Sequence, residues 1–247
     1  SVLVDVAPAN DRGAWVLARD ERYGDLELWR LGAEGRAERV GLPEPDGRRL
    51  QAIGASPAGD EVWVLSHRAL LRLSTPAPVE ATDAASMPPP APLPVWQATP
   101  LWLEGGDLKR GTVVPLGPGK AAWVAELAGA DGGPRLVGEI VDAGASVATF
   151  SLPCSFRSGA SGDGAGGLVL AGVGRITPSP NGWLGSYASC GEPTGNAIEW
   201  QRAPLELPSK VVAANGPSLW HWQGEVLKNG EADAFTLPTR ALLSNTR

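Results

Sequence analysis

The sequence predicts an all-β protein, a five-bladed β-propeller of three- to four-stranded antiparallel blades. Three observations predict it: a turn followed by a tryptophan recurs five times, β-prone segments flank each copy, and helical periodicity is almost absent. The chain has 247 residues, 43% of them apolar, enough for a proper core, and its 32 Gly and 23 Pro are scattered as turns would scatter them. The expectation is a single domain over 1–247, carrying a Pro-rich insertion at about 75–110 and a Gly-rich loop at about 153–167.

The first unit has β-prone residues at 2–6, the turn and strand APANDRGAWVLA around Trp15, then further strands at 26–31 and 37–40. In the second, 50–55 precede ASPAGDEVWVLS around Trp63, and 70–73 follow. The third places 112–116 before LGPGKAAWVAEL around Trp123, with 135–141 and 147–152 after it. In the fourth, 168–177 lead into PSPNGWLGSYAS around Trp183, and 197–202 follow. The fifth has 210–213, then AANGPSLWHWQG around Trp220, then 225–228 and 235–237. The tryptophans are spaced by 48, 60, 60 and 37 residues. Sheets this small hide their faces only by packing on one another, and a ring leaves short, protected edges. The five tryptophans are expected to fill the space between sheets.

SPAGDEVWVLS at 56–66 and SPNGWLGSYAS at 179–189 resemble the Ser-Pro-Asp-Gly turn and following strand of TolB-type, WD-repeat-like bacterial propeller repeats. The third unit has Gly-Pro-Gly instead, and the first and fifth lack the Ser-Pro pair. The resemblance implies a fold and leaves activity to be argued from a site. It also implies that this turn joins the innermost strand to the second. Residues 19–25, 66–69, 128–134 and 190–196, with the irregular stretches 75–110 and 153–167, then open on the other face. Of these, SMPPPAPLP at 86–94 reads as a polyproline-like strut and SGASGDGAGG at 158–167 as a flexible loop.

Cys154 and Cys190 are the only cysteines. The blade topology places both on one face, so a disulfide is expected, with two separate reduced thiols as the alternative; a bridge implies an oxidising compartment. Together with Ser1 in place of an initiating Met, this predicts a periplasmic or extracellular mature chain. Arg in excess of Lys, beside abundant Ala, Gly and Pro, points to a GC-rich bacterial genome.

The net charge of −6 and pI near 5.0 argue against a nucleic-acid or anionic-membrane partner. No run of 18 apolar residues predicts membrane insertion. His67 and His221 fall in different units without ligands at metal spacing, so no metal and no cofactor is expected. There is no Gly-x-Ser-x-Gly elbow, and GDGAGG at 162–167 precedes a strand where a dinucleotide fingerprint opens a helix. A propeller glycosidase needs two channel carboxylates, and the predicted innermost strands supply only Asp5.

Trp96 and Trp102, in the long insertion, and Trp222 with its neighbour His221 fall outside the repeat position and are the candidate binding residues. The sequence thus predicts a protein that is not an enzyme and that binds other protein subunits, as an accessory or scaffold of a larger extracytoplasmic assembly. The alternative is a lectin-like propeller stacking a glycan on those tryptophans, and a glycosidase-like enzyme is third.

Overall fold

A computed structural model describes residues 2–9, 13–19, 26–32, 35–42, 50–56, 61–74, 95–102, 108, 110–128, 132–155, 159–188, 190–203, 211–215, 218–223, 226–229 and 232–236. At residues 2, 8, 50 and 110, and at those described from 211 onward, the description covers the backbone alone. The expected strut at 86–94 lies outside these residues. Among them there is no helix; strands form five sheets of four or five strands each. The chain divides into two compact units, Ser1–Leu101 and Trp102–Arg247.

The first unit holds two antiparallel meanders. One is β1 (Val2–Pro8), β2 (Ala14–Arg19), β3 (Leu26–Leu31) and β4 (Ala37–Val40); the other is β5 (Leu50–Ala55), β6 (Glu61–Ser66), β7 (Ala69–Ser74) and β8 (Val95–Pro100). Between them Ala7, Trp15, Leu17 and Leu28 pack on Ile53, Val62, Val64, Leu71 and Leu73, and Trp96 closes the margin of this core. Alternation along β6 sends Trp63 to the other face, where it is fully buried. Trp15 therefore lies in the core between these two sheets, while Trp63 is buried on the opposite face of its own sheet. The Ser-Pro turn joins β5 to β6 as the resemblance implied. Ser56 closes it twice: its N–H donates to the Glu61 carbonyl at 3.0 Å, and its Oγ accepts the Glu61 N–H at 3.4 Å.

The second unit opens with a third meander, β9 (Arg110–Gly117), β10 (Lys120–Ala128), β11 (Pro134–Asp142) and β12 (Ala145–Leu152). A fourth follows, β13 (Ala160–Gly162), β14 (Leu168–Leu170), β15 (Gly174–Ser179) and β16 (Gly182–Tyr187). After β16 the chain adds β17 (Thr194–Asn196) to the outer edge of the third sheet. It then adds β18 (Ile198–Arg202), in parallel, to the outer edge of the fourth. These additions make five-stranded sheets where three or four strands were expected. The fifth sheet is β19 (Val211–Asn215), β20 (Ser218–Gln223), β21 (Val226–Asn229) and β22 (Ala232–Thr236). Val114, Ala122, Leu136, Ile140 and Phe150 of the third sheet share a core with Leu168, Leu170, Ile176 and Trp183 of the fourth.

The fourth repeat differs from its sequence reading. Trp183 lies on β16, the fourth strand of its sheet, and its Ser-Pro turn joins β15 to β16 instead of a first strand to a second. The glycine-rich stretch read as a flexible loop contains β13, which places the chain two strands further on when the familiar turn arrives. Residues 190–196 are accordingly no loop between second and third strands; they lead into β17. Trp123 lies on the face of β10 opposite Ala122 and Val124, so it too stays out of the core shared with the fourth sheet, although it is fully buried.

Candidate binding surface

The first sheet has one face in the core and one face outside it. The outer face follows from register: Val6 pairs with Val16, Val16 with Trp29 and Trp29 with Arg39, and directly paired residues share a side. Leu3 joins this face through Ala18, because the register break between Leu3 and Asp5 returns it to the same side. Leu3 is 62% exposed and Val6 56%, with Val4, inside the bulge, at 39%. These are large apolar side chains on an edge strand, where a charge would be the usual protection. Beyond them Trp29 is half-buried, its indole N–H donating to Glu27 at 3.2 Å, and Glu27 also pairs with Arg39 at 3.1 Å. The face thus runs from an apolar margin to a tethered indole and a solvated ion pair.

Asp5 explains why this margin stays fixed. It points to the core side and its carboxylate accepts two backbone N–H groups, that of Val6 at 2.9 Å and that of Ile53 at 3.0 Å. Asp5 therefore fastens β1 to β5, a structural task for the one acidic residue read on an innermost strand.

The candidate tryptophans occupy varied positions. Trp96 sits on β8, half-buried, its indole N–H committed to the Gly41 carbonyl at 2.8 Å. Trp102 belongs to the second unit, also half-buried, and its backbone N–H donates to Glu139 at 3.2 Å. His221 and Trp222 lie on β20, opposite Lys228 and Leu227 of β21; their side chains are outside the described residues.

Sequence reasoning missed two buried carboxylates. Glu139, 1% exposed, faces Trp123 across β10 and β11 and accepts the Trp123 indole N–H at 2.8 Å as well as the Trp102 amide. The signal was a carboxylate inside the apolar run of β11, which pays off in burial only if donors meet it. Asp163, also 1% exposed, organises the Gly-rich turn between β13 and β14. It accepts the N–H groups of Ala165 at 2.8 Å and Gly167 at 2.7 Å, and the Arg175 guanidinium at 2.6 Å. Burial pushes its pKa up, but the Arg175 hydrogen bond, the two backbone donors and the Arg175 charge together hold it below its ordinary value. Both constellations are satisfied internally, as structural groups are. Among the described residues no three His, Cys, Asp or Glu side chains gather as metal ligands would.

Cys154 and Cys190 form a disulfide, their Cα atoms 5.4 Å apart. Among the described residues no helix is long and apolar enough to cross a membrane. The disulfide is consistent with a secreted or periplasmic protein.

No family model and no curated protein matches the sequence. Among solved structures, the chain is similar to a catalytically inactive virginiamycin B lyase from Staphylococcus aureus with quinupristin. That similarity has a TM-score of 0.40 at 12% identity, over 92% of this chain and 80% of the other. It is also similar to a proposed 6-phosphogluconolactonase from Bacteroides uniformis, with a TM-score of 0.43 at 14% identity, over 94% and 70%. Both have propeller-type folds. The expectation that the chain is not an enzyme is corrected here: both of these structures are named as enzymes. Likeness this distant assigns neither reaction to this chain.

Proposed function

We propose that the five sheets are propeller-type blades in an extracytoplasmic compartment, with the outer face of the first sheet left uncovered by the chain itself, and that the chain binds another protein through that face. The blade reading is supported by five tryptophan-bearing repeats falling in five separate sheets, four of them simple meanders in their first four strands with the tryptophan on the second. The binding reading is carried by the exposed Leu3, Val4 and Val6 beside Trp29. Apolar side chains grouped at a sheet margin lose water only when something covers them, at roughly 25 cal/mol per Å² of apolar area.

The test is recovery of partners from the native source with the double variant Leu3→Asp, Val6→Asp as bait. The proposal expects a partner with the parent chain, its loss with the variant, and a melting temperature within a few degrees of the parent. An unchanged set of partners contradicts it. A variant that melts far earlier contradicts it too, since the face would then be a seam of the fold.

A further inference from the structure

The segment from Cys190 to Arg202 behaves as a strap across the third and fourth sheets, and its two ends are held very differently. The far end is packed. β18 pairs with β16 over five residues, and Trp200 lies where Gly185 has no side chain, its ring too close to the Gly185 backbone for a Cβ to fit between them. The same indole meets Phe150 and Tyr187 edge-on, with centroids 6.5 Å and 6.1 Å away. The near end is packed only at Cys190, which lies in the core shared by the third and fourth sheets. β17 pairs with β12 over three residues, Thr194 with Ser151, Gly195 with Phe150 and Asn196 with Thr149, and all three β17 residues are exposed.

Two backbone positions shape this near end, one of them strained. Gly195 has φ of 149°, and a Cβ there would lie 2.8 Å from the Phe150 Cα, so the strand reaches β12 only as glycine. Ala197, at φ 61°, turns the chain from one sheet to the other in the left-handed region that a side chain disfavours. Besides these few pairs, β17 is held by the burial of Cys190 and by its bridge to Cys154, just past the end of β12, where Gly191 packs closely against Pro153.

We propose that the Cys154–Cys190 bridge is a redox latch on this strap: its reduction frees residues 191–197 and bares the outer edge of β12, while Trp200 keeps β18 in place. Cys190 is buried at 6% and Cys154 is half-buried, so a dithiol reductant attacks the sulfur of Cys154. The Sγ–Sγ bond breaks, a mixed disulfide forms on Cys154, and Cys190 leaves as the thiolate and takes a proton. The second thiol of the reductant then attacks the reductant's own sulfur in the mixed disulfide, displacing Cys154 as a thiolate that takes the second proton. Two electrons and two protons have passed to the protein, and the reductant is left as a disulfide. The freed edge presents unpaired backbone groups at Thr149–Ser151, the feature that recruits an added strand.

Amide hydrogen exchange of the full chain, with and without dithiothreitol, tests this. Reduction is expected to speed exchange at least tenfold within 194–196, with Ala121–Ala125 of β10 and the β18 amides unchanged. The double variant Cys154→Ser, Cys190→Ser is expected to give the same local pattern without reductant. Unchanged exchange in β17 overturns the latch. Loss of protection across β10 and β18 as well overturns it too, because the bridge would then be supporting the whole sheet.

Discussion

Trp123 and Glu139 stand directly opposite each other on β10 and β11, and the buried indole N–H donates to the carboxylate at 2.8 Å. The same register position recurs in the first unit with the charge reversed. Trp15 is opposite Arg30 and Trp63 opposite Arg72, the guanidinium carbons 5.0 Å and 5.6 Å from the ring centroids. Each of these second-strand tryptophans therefore meets a charged partner on the third strand, over its face in two cases and at its N–H in the third. The fifth sheet repeats the register with Trp220 opposite Asn229.

Removing the acceptor from this pair leaves two donors unpaired in a buried place. Glu139→Ala is expected to destabilise the protein by about 1–3 kcal/mol, and Glu139→Gln by less, because the amide oxygen still accepts. Urea unfolding followed by tryptophan fluorescence measures both. Equal loss in the two variants would mean that the hydrogen bonds to Trp123 and Trp102 are not what Glu139 supplies.

Asp163 gives a pH signature. Its folded pKa lies below its ordinary value, so the stability it adds is fully present above the unfolded pKa and is lost as pH falls through the folded one. The gap in stability between the parent and Asp163→Asn is expected to be widest near neutrality and to shrink below about pH 4. Unfolding curves across that range check it, and a gap independent of pH contradicts it.

Gly138 lies beneath Phe150, and a Cβ there would sit 2.6 Å from the Trp123 carbonyl oxygen, a backbone atom that cannot move aside. Gly138→Ala is expected to cost about 1–3 kcal/mol by forcing β10 and β11 apart. Gly41→Ala, with nothing within 4 Å of the new atom, is expected to stay within about 0.5 kcal/mol of the parent. Thermal melts of the two side by side test the contrast.

The sequence made the second-strand tryptophans legible because a turn and an apolar strand are local signals. Trp15, Trp63 and Trp123 are buried on the strands where the repeat placed them. The same signal misled at Trp183. PSPNGW is a good hairpin turn wherever two antiparallel strands meet, and nothing in it tells a third-to-fourth connection from a first-to-second one. β13 and β14 are three residues each, too short to show alternation, and glycines around Asp163 hid the turn between them. The strap was illegible for another reason: β17 pairs with a strand far back in the chain, and β18 pairs with β16 in parallel, which no hairpin turn signals. The face of the first sheet was not read from the sequence, which placed its candidates at Trp96, Trp102, His221 and Trp222. Its exposure depended on the bulge at Val4, which no residue there announces.

Side-chain footprinting of the protein in its native assembly, compared with the isolated chain, asks most directly whether that outer face meets a partner. Strong protection of Leu3, Val6 and Trp29 in the assembly, with Trp63 and Trp123 silent in both states, is the predicted result. Equal labelling of Leu3 and Val6 in the two states would contradict the account.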